Sequence, residues 1–138
     1  MRKHKELKQI SVLYTDQLRG DWIGDWQEDG VIRIFDGLNS FDRSVVFVHE
    51  FIEMIISFLL NIPECCDKTY STKKHGFKNA AAHNIATAVE AIVVSAAGES
   101  WKAYQDRVTQ VRLKRYGKDW DVPCESCYKK DTCEAREI

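Results

Sequence analysis

The chain has 138 residues, 44% of them hydrophobic and 30% charged, with a formal net charge of -1 at pH 7. That length suits one domain with a core of its own, and the balanced charge excludes a global electrostatic pull toward nucleic acid or anionic lipid. Five cysteines, an odd number, follow an opening MRKHKELKQ that has no apolar signal core behind its basic residues. Reduced thiols or metal ligands are therefore expected before disulfides, in a cytoplasmic setting without a membrane span.

Taken in chain order, ELKQISVLY at 6–14 alternates loosely and holds β-formers, which predicts a first strand near 10–14. GDWIGDWQEDG at 20–30 is dense in Gly and Asp and reads as a turn or loop. VIRIF at 31–35 reads as a second strand ended by Asp36 and Gly37, and its expected partner is the first strand in a small antiparallel sheet. Asn39, Ser40 or Asp42 can cap a helix over about 41–60 that stops before Pro63. A polar connection at 61–79, of a length more often functional than idle, leads to a second helix over 80–97. Gly98 offers a break, and a third helix follows over about 99–116. On it Trp101, Tyr104, Val108 and Val111 form an apolar line, with Arg107, Lys114, Arg115 and Lys118 opposite on a solvated face. The fold class expected is α+β, a small sheet followed by a helical bundle, with domain 1–118 carrying a Cys-rich tail at 119–138 packed on it.

The chemistry concentrates on the first two helices. VVFVHEFIEMIISFLL at 45–60 is apolar except for His49, Glu50, Glu53 and Ser57. Helical spacing stacks His49, Glu53 and Ser57 on one line with Glu50 beside it. A helix apolar on its other sides is buried, and so is its stripe. Buried carboxylates cost several kcal/mol unless paired, hydrogen-bonded or metal-bound. AAAHNIATAVEAIVVSAA at 80–97 repeats the design, with His83, Thr87 and Glu90 on one face and Asn84 at its edge. Facing the two stripes toward each other brings together His49, Glu53 and His83, a two-histidine, one-carboxylate set with room for water. Glu90 is either a partner of a ligand or a ligand in place of Glu53. A buried polar network or a partner-binding groove is the alternative reading.

With VIRIFDG at 31–37, FVHEFIE at 47–53 and HNIATA at 83–88, the order of parts resembles the small zincin-like metallopeptidases, in particular compact phage and bacterial relatives of the ImmA/IrrE type. The resemblance covers roughly residues 6–97. It implies His49 as first ligand, Glu50 as general base, His83 as the ligand on the following helix, and a peptide or protein substrate paired along the strand of Ile32 and Ile34. Glu53 stands where the family has its second histidine. A carboxylate is a harder ligand, so Fe2+ or Mn2+ joins Zn2+ as a candidate.

Cys124, Cys127 and Cys133 make a C-x2-C-x5-C cluster in a tail too poor in apolar residues for its own core. The pattern suits a second Zn2+ or an iron-sulfur cluster, with a fourth ligand from Cys65, Cys66 or His75; a disulfide or free thiols are the other readings. Two further functions compete with a hydrolase. One is a non-catalytic, metal-stabilised interaction or regulatory protein. The other is a nucleotide pyrophosphohydrolase binding Mg2+ through Glu50, Glu53 and Glu90, which the strands and histidines disfavour.

Overall fold

The computed structural model describes residues 6–18, 23–61 and 76–116, with side chains of 82–115 in the last segment. Its elements are β1 (Ser11–Thr15), β2 (Gly24–Trp26), β3 (Val31–Phe35), α1 (Ser40–Leu59), α2 (Gly76–Ala96) and α3 (Trp101–Tyr116). The class is α+β, a three-stranded sheet followed by three helices. The cysteines at 65, 66, 124, 127 and 133, His75 and the proposed tail all lie outside the described residues.

The sheet departs from the antiparallel pair expected. Its order is β1-β3-β2, and β1 runs parallel to β3, with Ser11 opposite Val31 and Thr15 opposite Phe35. The reversal comes from β2, which occupies part of the presumed loop and pairs antiparallel with β3, Gly24 opposite Ile34 and Trp26 opposite Ile32. A tight turn closed by the Gly30 N–H donating to the Gln27 carbonyl joins the two strands, with Gly30 at φ 83. Two reversals, one into β2 and one into β3, leave β1, on the far edge, pointing the same way as β3. Gly24 also has a different role from the turn residue it resembles in sequence. A Cβ there would sit 2.6 Å from Val46 Cγ1 and 3.1 Å from Glu50 Oε1. Glycine lets β2 lie directly on α1.

β3 is the central strand, so it has no free edge for an extended peptide, contrary to the place the resemblance gives it. Its Ile32 and Ile34 are fully buried and join Ile23, Trp26, Leu38, Val45, Val46, Met54, Val94, Tyr104 and Val108 in one apolar core. Burial of this apolar surface is the main force holding sheet to helices.

Asn39 caps α1, its side chain accepting from the Asp42 N–H at 2.7 Å. α1 and α2 share the most extensive helix contact. α2 ends in a Schellman motif: Gly98, at φ +80, donates to the Ser95 carbonyl, and Glu99 donates to the Val94 carbonyl. Ser100 Oγ then accepts from the Ala103 N–H to start α3. As expected, Tyr104 and Val108 are buried on the inner line of α3. Arg107 is a correction to the solvated face. Its guanidinium is bidentate to the buried Asp42 of α1, at 2.8 and 3.1 Å, and reaches Glu99 at 2.5 Å, bracing α3 against the start of α1.

Candidate metal centre

The two polar stripes face one another. One ligand atom from each of His49, Glu53 and His83 lies within 4.8 Å of the others, and the two imidazole rings meet edge to face at 4.9 Å between centroids. His49 Nε2 is 3.1 Å from Glu53 Oε2, and His83 Nδ1 is 3.2 Å from the same oxygen. Helical geometry accounts for the first contact, since residues four apart share a face. The second depends on the packing of α2 across α1. Trp26 of β2 completes the surround by donating its indole N–H to Glu53 Oε1 at 3.3 Å.

Glu90 takes the other side of His49. Its Oε1 is 2.8 Å from His49 Nδ1, and its Oε2 accepts from the Tyr104 hydroxyl at 2.5 Å. With Nδ1 donating to Glu90, the nitrogen left to face Glu53 and His83 is Nε2, the arrangement in which a carboxylate orients a ligating imidazole. Glu90 therefore braces His49 in this structure. Ser57, further along the α1 stripe, is buried, whereas Asn84 is exposed and Thr87 half-buried.

Electrostatics make the site ready for positive charge. Burial opposes the charged form of His49, but hydrogen bonds to Glu53 and Glu90, with the charges of Glu50 and Glu53, outweigh it and push the imidazole up to about 11. Burial likewise opposes the Glu53 carboxylate, yet hydrogen bonds from His49 and His83 and their charges bring it down to about 2. Glu50 responds differently. Burial first, then the charge of Glu53, with smaller contributions from Asp25 and Glu90, raise its carboxyl well above the usual carboxylate range despite the opposing charge of His49. Asp25, Glu50, Glu53 and Glu90 thus crowd four acidic side chains around the buried His49, with the more exposed His83 at their edge. A divalent cation would relieve that excess. Imidazole, imidazole and carboxylate also form a donor set that Zn2+, Fe2+ and Mn2+ accept, so the residues present fit a metal. Access is uneven: the His83 side chain is 40% exposed, against 12% for His49 and 13% for Glu53.

No family model, curated protein or solved structure matches the chain. The reading of the site therefore rests on its own geometry.

The stripes located His49, Glu50, Glu53, His83 and Glu90 in the sequence. They missed Trp26 and Asp25, hidden in a Gly/Asp-rich stretch, and Tyr104, which reads as one more apolar position of α3. Alternation across Gly24–Trp26 was too short to announce a strand, and only the buried phenol's need for a partner could have hinted at Tyr104. Among the described residues no helix is long and apolar enough to cross a membrane.

Proposed function

We propose that this protein is a metal-dependent hydrolase of the zincin-like kind, with His49, Glu53 and His83 holding Zn2+, or Fe2+ or Mn2+, and Glu50 acting as general base. The observation that carries the reading is the convergence of three metal-type donors from two buried helices, with a carboxylate behind the first imidazole. When bound, the cation supplies Lewis acidity toward a carbonyl and acidifies a water. Without a cation, burial and the neighbouring carboxylates hold Glu50 toward its neutral form. With one bound to His49, Glu53 and His83, the Glu50 carboxylate, which lies against Gly24 of β2, would be free to take up the proton of a water and return it to the leaving group. Glu90 keeps the His49 ring in one tautomer. Glu53 replaces the second histidine of the resembling family, which lowers the charge of the site and widens the choice of metal. A peptide or protein substrate in the cytoplasm is the extension of the same proposal.

Elemental analysis of the purified protein, paired with assays of Glu50→Gln, tests it. One bound metal that survives the substitution, together with loss of hydrolysis, supports the assignment. Hydrolysis that persists in Glu50→Gln removes Glu50 as the base.

One observation favours a second reading. Glu53 already accepts from His49, His83 and Trp26, as a self-contained polar network would require. In that case the two-helix site is a buried polar network that binds no metal at all.

A further inference from the structure

We propose that Tyr104 is a positioning residue that sets the cation affinity of the two-helix site by fixing Glu90 and, through it, the imidazole of His49. The inference rests on the metal reading above and adds a residue from the third helix to it.

Tyr104 is 2% exposed, and a phenylalanine would fill the same core volume. A buried hydroxyl costs free energy unless it is hydrogen-bonded, so its retention calls for a partner. That partner is Glu90 Oε2, 2.5 Å away, in a bond strengthened by the carboxylate charge. Glu90 Oε1 meets His49 Nδ1 at 2.8 Å. With one oxygen committed to each neighbour, the carboxylate cannot swing inward to join His49, Glu53 and His83, nor can it let the His49 ring turn. This decides between the two roles open to Glu90: it is the brace of a ligand.

Tyr104 is itself held. Its ring packs against Trp101 at 5.5 Å between centroids, and Arg107, one turn along, ties α3 to Asp42 at the start of α1. A chain of contacts thus runs from α3 through α2 to α1. Removing the hydroxyl frees Glu90 Oε2 and releases the pivot, while the phenyl ring keeps its packing. Outer partners of ligating imidazoles typically change metal affinity by tenfold or more when removed.

Co2+ serves as the probe, because its visible bands report the geometry of its ligands. Metal-stripped wild type, Tyr104→Phe and Val108→Ala are titrated with Co2+. Val108 is buried on the same helix, so Val108→Ala loosens α3 packing without touching the hydrogen-bonded chain. The expected result is roughly tenfold weaker binding with shifted bands for Tyr104→Phe, and wild-type affinity and bands for Val108→Ala. Wild-type affinity and bands in Tyr104→Phe overturn the inference, and so does equal weakening by both variants, which would make α3 packing the cause. Both of those outcomes leave the metal site standing. Absence of Co2+ bands in the wild type instead removes the site itself and this role with it.

Discussion

His49 stands between two carboxylates, and its loss differs from the loss of His83 for that reason. His49→Ala leaves Glu53 and Glu90 buried with no imidazole between them, which costs about 3 kcal/mol of metal-free stability. His83, 40% exposed, can be replaced by alanine for less than about 1 kcal/mol. Both variants lose the metal, so urea denaturation in chelator separates the two costs, and metal retained by either variant would exclude that residue as a ligand. The acidic and basic limbs of stability also follow from these side chains. Glu53, lowered from 4.5 to about 2, contributes above its unfolded value and loses that contribution as pH falls through the folded one. His49, raised from 6.5 to about 11, contributes fully below its unfolded value and loses the contribution as pH climbs through the folded one. Glu50, raised from 4.5, acts in the same direction as His49. Metal-free protein should therefore melt at a temperature several degrees lower near pH 9 than near pH 6. Saturating Zn2+ should remove that alkaline loss, since a cation takes the place of the proton. A melting temperature that rises from pH 6 to pH 9 without metal would contradict the assignment of His49 as the charged member.

At the scale of elements, helices were legible and strands were less so. α1 announced itself through a long apolar run and the Asn39 cap, and the paired stripes of α1 and α2 foretold which residues meet. The periodicity of an amphipathic helix persists over many turns, so a few exceptions do not erase it. β2 has three residues, and its glycine serves a close approach that sequence cannot distinguish from a turn. Arg107 was misread for a related reason, because a basic residue on a polar helix face looks the same whether it meets water or an Asp42 that lies 65 positions away. Two substitutions probe these joints. Gly24→Ala pushes a methyl into Val46 and Glu50 and should destabilise by about 1–3 kcal/mol through overpacking. Arg107→Ala strips the buried Asp42 of its bidentate partner and should cost about 2 kcal/mol. Shifts in the urea midpoint measure both, and a neutral Gly24→Ala would show that β2 can lift away from α1.

For the whole molecule, one cation at a site absent from the unfolded chain raises stability by mass action, about 2.7 kcal/mol at a free concentration one hundredfold over Kd. Thermal melts with increasing Zn2+ should rise accordingly and stay flat in His49→Ala. The metal-to-protein ratio separates the two constellations read in the sequence. A ratio near two that falls to one when Cys124, Cys127 and Cys133 are changed to serine would assign the second ion to the cysteines, and an unchanged ratio would deny them one.

The side-by-side course of the first and last strands has a consequence for assembly. A hairpin can zip from its own turn, but Ser11–Thr15 has no neighbour in sequence to guide it and must wait for an edge that the hairpin of β2 and β3 creates. The amino-terminal strand should thus be the last to arrive and the first to peel off. Exchange of its amide hydrogens should outrun that of Val31–Phe35 while the three-helix layer stays closed.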